Sequence, residues 1–235
     1  MDRNFNKSLQ LVLKSEGGFV NIKADPGGAT NRGITIATFR KYINPNGSID
    51  DLKNLTIEQT ATCYRQQYWA AVAGDDLPDG VDYATFDMAV NSGPGRAARY
   101  LQSVVGSPLD GTIGPATLAT VAKMPASVVI DRLCDARLAF LQSLSTWPTF
   151  GKGWSARVAS VRKEALLMTA QPAQPASPAP VPASPEPSAP PKAPAAPVPA
   201  KPVAKHVGIG AFGLAVGAII TTYWHELVVW IHHWL

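Results

Sequence analysis

Residues 5–36, FNKSLQLVLKSEGGFVNIKADPGGATNRGITI, contain the change of pattern that decides the fold. Their first part repeats apolar residues at the helical spacing i, i+4, i+7 and i+8, namely Phe5, Leu9, Val12 and Leu13. This spacing predicts an amphipathic helix, and the glycine pair at 17–18 is expected to end it. Residues 19–36 instead predict extended chain with tight turns at 25–28 and 31–33. The N-terminal unit is therefore expected to be a helix followed by a small β-hairpin region.

The rest of residues 1–170 is dominated by helical periodicity. The patterns cover approximately residues 35–43, 56–69, 82–91, 96–105, 115–123, 126–145 and 154–167. The predicted fold class is therefore mainly α with a small β-hairpin region. Cys63 and Cys134 lie in apolar helical contexts, which favours buried core residues over a disulfide scaffold.

The C-terminal part of the chain differs sharply in composition. Residues 171–202 contain 13 of the 21 prolines, and such a segment forms neither a helix ladder nor a buried strand. A Pro/Ala-rich linker is predicted at 171–206, and a C-terminal hydrophobic helix at 207–235. Residues 207–224 carry no formal charge, which favours a transmembrane helix. An amphipathic helix lying in the membrane interface is the open alternative.

Charge excludes one function class and leaves two others open. The net charge of +4 is too small to indicate nucleic-acid binding. Basic residues nevertheless exceed acidic ones in 136–170, a local excess that suits either an anionic polymer or a solvated helix face. His225, His232 and His233 share a helical face, but interfacial polar residues are a better interpretation than a metal site. No metal and no cofactor are expected.

Glu16 and Asp25 form the pattern with the clearest chemical meaning. Glu16 lies at a predicted helix end, where the helix dipole and the apolar Phe19 would raise its pKa, as a proton donor requires. Asp25 lies in a solvated turn where a carboxylate stays ionised, and Thr30 follows it. Two carboxyl groups across a groove are typical of glycosidases. From spacing alone, a surface glutamate and a structural turn are the more common interpretations of these two residues.

The amino-acid identities in the segments around Glu16 and Asp25 point to a protein family more specifically than the spacing of the two residues does. Glu16-Gly-Gly-Phe-Val-Asn, Asp25-Pro-Gly-Gly-Ala-Thr30-Asn-Arg-Gly33, the segment 86–93 and the segment 110–117 together resemble glycoside hydrolase family 108. That family comprises peptidoglycan N-acetylmuramidases of phage endolysins and bacterial secretion accessory proteins. The resemblance extends over about residues 5–167, and the linker and the apolar tail lie outside it.

The resemblance implies a lysozyme-like fold that cleaves the β-1,4 bond between N-acetylmuramic acid and N-acetylglucosamine. It implies a catalytic domain at 1–95 and a peptidoglycan-binding helical region at 96–170 packed on it. Glu16 would be the general acid, Asp25 would position water or stabilise the transition state, and Thr30 would help orient that water.

Four further residues are candidates for substrate binding. Asp87 and Asn91 are one helical turn apart and could bond sugar amides or hydroxyls, although Asn91 could instead cap its helix. Tyr68 and Trp69 could stack on sugars, although aromatic residues on a helix are more often in the core.

The expected function is that of an endolysin-type muramidase that degrades the cell wall and lyses the host. The enzyme alternatives are a lytic transglycosylase and a secretion accessory muramidase, and the non-enzymatic alternative is a membrane-tethered peptidoglycan-binding protein. Peptidoglycan strands and, through 207–235, the host inner membrane are the expected partners, with the soluble part a monomer. The N-terminus shows no apolar stretch typical of a cleavable signal peptide, and the site of action would be periplasmic peptidoglycan.

Overall fold

The computed structural model describes residues 4–21 and 28–170. The helices and strands of these ranges, in chain order, are α1 (Phe5–Leu13), β1 (Thr30–Asn31), β2 (Ile34–Thr35), α2 (Ile36–Tyr42), α3 (Ile49–Lys53), α4 (Ile57–Tyr64), α5 (Val81–Ser92), α6 (Pro94–Val105), α7 (Pro115–Val121), α8 (Ala126–Gln142) and α9 (Trp147–Thr169). The mainly helical fold with one small hairpin is confirmed, and it is consistent with a lysozyme-like fold.

Helix α1 ends at Leu13, earlier than the glycine pair that was expected to end it. A turn continues the chain, with the backbone N–H of Glu16 donating to the carbonyl of Leu13 at 3.3 Å. Glu16 therefore lies just beyond the helix end, in the segment that leads to the hairpin.

The hairpin consists of two strands of two residues each. Thr30 pairs with Thr35 and Asn31 with Ile34, so Arg32 and Gly33 form a two-residue turn. Both turn residues have positive φ, 49° and 72°, which is the type I′ geometry that matches the twist of the strands. The buried Asn31 side chain donates to the carbonyls of Leu52 and Lys53, which fixes the hairpin against α3.

Helix α4 continues into a π-helical turn at Arg65–Trp69 and then a 3-10 turn at Ala70–Val72. The periodicity at 56–69 predicted the helix but not the widened turn. The turn places Trp69 against Phe5 and Phe86, at centroid distances of 5.3 Å from each ring. These three rings join α1, the end of α4 and α5 in one core.

Helix α5 is the centre of the molecule. Its residues from Val81 to Ala89 are all buried, although they include Asp82 and Asp87. Helices α6, α8 and α9 pack against it from the C-terminal half of the chain, and α1 packs against it from the N-terminal half. The helices of 96–170 thus lie directly on the helix that supports the N-terminal part. Whether they also bind peptidoglycan, as the boundary at 95 predicts, stays a prediction.

Hydrogen bonds to a buried side chain hold the segment 110–117 in place. The buried Gln102 side chain donates to Asp110 Oδ1 at 2.6 Å and to the Thr112 carbonyl at 3.0 Å. Its own oxygen accepts from the backbone N–H of Gly111 at 3.0 Å. Pro115 occupies the first turn of α7, as its position predicted.

Two details of the fold differ from the sequence prediction. Helix α9 begins at Trp147, earlier than the pattern at 154–167 indicated, and α3 was not predicted. Across the described ranges no helix is long and apolar enough to cross a membrane. The predicted linker at 171–206 and the hydrophobic helix at 207–235 lie outside the described residues.

Candidate active site

The carboxyl group of Glu16 lies against the turn of the hairpin. A methyl group placed on Gly33 would come within 2.8 Å of Glu16 Oε2 and 2.6 Å of the Tyr64 hydroxyl. The Tyr64 hydroxyl donates to the Arg32 carbonyl at 2.9 Å, so α4 holds the turn in this position. A glycine at position 33 is therefore what allows the Glu16 carboxylate to approach the hairpin.

A charged partner for Glu16 comes from the far end of the described chain. Arg157, on α9, lies with Nη2 at 3.8 Å from Glu16 Oε1. The side chains of Arg157 and Glu16 are 15% and 20% exposed, so this pair borders solvent without being fully open to it. A substrate can reach a carboxyl group in such a position, and solvent screens its interaction with the Arg157 charge only in part.

Arg157 is itself held by the buried Asp87. Its Nε and Nη2 donate to the two carboxylate oxygens of Asp87 at 3.2 and 3.0 Å, a bidentate pair. Arg137, on α8, donates from Nη1 to Asp87 Oδ1 at 2.6 Å. Burial alone would raise the pKa of Asp87, but the two guanidinium groups outweigh it and hold that pKa below its usual value.

The predicted sugar contacts of Asp87 are replaced by these ion pairs. Asp87 is 2% exposed, and both its oxygens accept from arginines. It therefore acts on the site from the protein interior, by holding Arg157. The expectation that Asp87 and Asn91 share a face is confirmed, because Arg137 also donates to Asn91 Oδ1 at 3.3 Å. Asn91 is only partly buried, and its contact with substrate stays a prediction.

The two aromatic candidates lie in the interior. Trp69 is 1% exposed, and its ring N–H donates to Asp75 at 3.0 Å, so the structure assigns it to the core and not to a sugar-stacking surface. Tyr68 is 6% exposed, with its ring 5.5 Å from that of Tyr64. The sugar contact of Tyr68 stays a prediction.

The remaining catalytic candidates are Thr30 and Asp25. Thr30 lies on β1, two residues before the turn that contacts Glu16, and its hydroxyl donates to the Gly28 carbonyl at 3.4 Å. Asp25 lies outside the described residues, as do the three C-terminal histidines. Within residues 4–21 and 28–170, no group of three or more potential metal ligands comes together.

Comparison with known proteins is consistent with this geometry. The Glycosyl hydrolase 108 family model matches residues 9–93. The solved structure of Brucella abortus SagA is 49% identical to the chain, covers 74% of it and all of SagA, and superposes with a TM-score of 0.65. The chain belongs to glycosyl hydrolase family 108. A search of curated proteins found no match.

Membership of family 108 makes the protein a glycoside hydrolase of a peptidoglycan-degrading family. The family match ends at Gly93, so the two arginines that surround Asp87 lie beyond it. The sequence carried a signal for them in the basic excess of 136–170. A buried aspartate that stays ionised needs a compensating cation, and two of the excess cations provide it at Asp87.

Proposed function

We propose that this family 108 hydrolase is a muramidase in which Glu16 is the general acid. The observation that carries the proposal is the Glu16 carboxyl in the turn after α1, partly exposed between the hairpin turn and Arg157. Glu16 transfers its proton to the glycosidic oxygen while the C1–O bond breaks and that oxygen keeps the bonding electrons. Water adds to C1, and the proton that it releases restores the acid.

The hairpin supplies the other proposed groups. Thr30 orients the attacking water, and Asp25 positions it or stabilises the oxocarbenium-like transition state. Support for Thr30 comes from its place on the same two-stranded hairpin whose turn touches Glu16. Support for Asp25 comes from the sequence, where it precedes the hairpin by five residues.

Clearance of purified sacculi tests the assignment of Glu16. We expect the intact chain to release soluble muropeptides and Glu16→Gln to lose this activity by at least about 1,000-fold, because an amide cannot donate the proton. Glu58→Gln, which removes an exposed carboxylate on α4, is the matched control and should keep the wild-type rate. Full activity of the Glu16→Gln variant would refute the mechanism.

The same digest separates the hydrolase from the lytic transglycosylase. Hydrolysis leaves a reducing N-acetylmuramic acid end, whereas transglycosylation leaves an anhydro end and no new reducing sugar. Mass spectrometry of the fragments distinguishes the two by the mass of one water. Anhydro products alone would establish the transglycosylase.

The biological role that we propose is wall degradation during host lysis, with the enzyme tethered to the inner membrane. Its support is the sequence, in which a linker at 171–206 precedes an uncharged segment at 207–224. Sedimentation of the full chain with membranes, and its release when residues 207–235 are deleted, tests the tether. A full chain that stays in the supernatant would contradict it.

A further inference from the structure

The charges around Glu16 form a continuous chain that runs into the core. Glu16, Arg157, Asp87 and Arg137 alternate in sign, and their side-chain exposures are 20, 15, 2 and 3%. With Glu16 ionised the four charges cancel, and with Glu16 protonated the cluster carries one net positive charge. The electrostatics of the cluster therefore favour the ionised form of Glu16.

The contacts show which group sets the position of the cation. Arg157 makes two charge-assisted hydrogen bonds to Asp87, at 3.0 and 3.2 Å, but approaches Glu16 only to 3.8 Å. Asp87 thus fixes the guanidinium group, and the Nη2 atom that bonds Asp87 is also the one that lies 3.8 Å from Glu16 Oε1. Burial would lower the pKa of Arg157, but Asp87 and, after it, Glu16 raise it, so the cation stays charged.

We propose that Arg157 is a positioning residue for the reaction, which holds a fixed positive charge beside Glu16 and stabilises the carboxylate that forms as the proton leaves. This inference rests on the proposed role of Glu16 as the acid. It assigns part of the active site to α9, within the region 96–170 that is predicted to bind peptidoglycan. Arg137 acts one step further in, since it keeps Asp87 ionised and aligned.

The direction of the effect follows from two opposing contributions. A cation within about 4 Å of a carboxyl group favours its ionised form. Asp87 neutralises part of the Arg157 charge, which reduces this effect without reversing it. Arg157 thus favours the ionised form of the Glu16 carboxyl group beside it.

Other titratable groups face this pair and must be considered in any pH profile. Within the described ranges they come from α4, α5 and α8: Tyr64, Tyr83, Asp87 and Arg137, with Glu164 of α9 acting on Tyr83. Burial raises the pKa of Tyr83, so this phenol stays neutral across the range in which Glu16 titrates. Asp87 stays ionised there because of its two arginines.

The experiment compares the pH dependence of muropeptide release by the intact chain and by Arg157→Gln. Arg157→Gln leaves Asp87 paired with Arg137, so the buried charges still balance. We expect the basic limb of the rate profile to move to higher pH and the maximal rate to fall about tenfold or more. Arg162→Gln is the control, since Arg162 lies on the same helix but pairs with Asp131 and Asp135.

A folded Arg157→Gln variant with the wild-type profile overturns the proposal. If thermal melting shows that this variant does not fold, Arg157→Lys supplies the measurement. Its ammonium group keeps the positive charge but lacks the planar, two-point hydrogen bonding of a guanidinium, so the basic limb should still move to higher pH, by less than in Arg157→Gln. An unshifted limb for Arg157→Lys would equally overturn it.

The Glu16→Gln variant separates this inference from the function on which it rests. If the wild type releases no muropeptides, or Glu16→Gln releases them at the full rate, the proposed function fails and the inference fails with it. If Glu16→Gln is inactive while the Arg157 variants keep the wild-type limb, the function stands and only the role of Arg157 is refuted.

Discussion

Gly33 is the residue that most tightly limits the geometry around Glu16. It has φ of 72°, and any side chain there would meet both the Glu16 carboxylate and the Tyr64 hydroxyl. Its neighbour Arg32 tolerates a positive φ because its backbone carbonyl accepts from Tyr64 and its guanidinium donates to the Leu55 carbonyl. Backbone strain of this kind is commonly concentrated beside functional groups.

Replacing Gly33 by alanine is therefore expected to damage both activity and stability. The left-handed backbone alone costs a non-glycine residue about 1–2 kcal/mol, and the methyl group forces Glu16 away from the hairpin. We expect activity on sacculi to fall about 100-fold, since a displacement of about 1 Å is enough for such a loss. Muropeptide release and chemical denaturation measure the two effects.

Gly153→Ala is the matched control for that substitution. A methyl group on Gly153, in α9, meets nothing within 4 Å, so this variant should be as active as the wild type and up to about 1 kcal/mol more stable. A fully active Gly33→Ala variant would show that the hairpin turn does not set the position of Glu16.

At the scale of single residues, the sequence indicated Glu16 because a carboxylate next to a helix end and two glycines is a local pattern. It indicated Arg157 only as one of the excess basic residues of 136–170 and not as a partner of Asp87, since the two are 70 positions apart and only the packing of α9 on α5 brings them together. Asp87 was singled out as a sugar contact, and its local pattern did not distinguish that role from a buried ion pair.

At the scale of elements, the start of α5 contains a second buried carboxyl group with a different environment. Asp82 is 3% exposed and accepts from the backbone N–H groups of Gly80 and Tyr83 and from the Asn4 side chain. Burial raises its pKa to about 6, and the nearby Asp79 acts in the same direction, although those hydrogen bonds lower it. Among residues 4–21 and 28–170, no cation pairs with Asp82 as the arginines do with Asp87.

The raised pKa of Asp82 predicts a specific dependence of stability on pH. The folded state holds this proton more tightly than the unfolded chain, so its contribution is fully present below about pH 4 and is lost as the pH rises through 6. Relative to Asp82→Asn, the free energy of unfolding of the wild type should fall by about 3 kcal/mol between pH 4 and 7.5. Urea titrations at several pH values measure it.

The exposed Asp76 supplies the control for this pH series. Asp76→Asn removes a carboxylate without affecting the contacts of Asn4, so its stability difference from the wild type should be nearly independent of pH. A difference for Asp82→Asn that is equally flat would mean that Asp82 stays ionised in the folded protein at pH 5.

Helix positions were largely predictable because apolar periodicity reports which face is buried. The exceptions have physical reasons. Helix α3 is only five residues long, and a capping box between Ser48 and Asp51 stabilises it more than an apolar stripe does. The π-helical turn at Arg65–Trp69 follows from the way Trp69 packs on Phe5 and Phe86, which is a tertiary effect.

At the scale of the whole molecule, the arrangement of α5 with α8 and α9 argues for one cooperative unit in residues 28–170. The boundary expected at 95 falls just after α5, yet Asp87 on α5 depends on arginines from both later helices. Without them, a buried carboxylate would have no compensating cation, a situation that typically costs about 3–5 kcal/mol. The two regions should therefore not unfold independently.

The two free cysteines allow this cooperativity to be measured in the full chain. Cys63 on α4 is 1% exposed and Cys134 on α8 is 2% exposed, and burial raises the pKa of each thiol to about 11. Neither should react with a thiol reagent at pH 8 while the protein is folded.

In pulse-labelling across a denaturant series, the Cys63→Ala variant reports the reactivity of Cys134, and the Cys134→Ala variant reports that of Cys63. We expect coincident midpoints, measured by mass spectrometry and corrected for each variant's own stability by circular dichroism. If Cys134 became reactive at a clearly lower denaturant concentration than Cys63, α8 and α9 would unfold separately. The ion pairs of Asp87 would then not couple these helices to the N-terminal part of the fold.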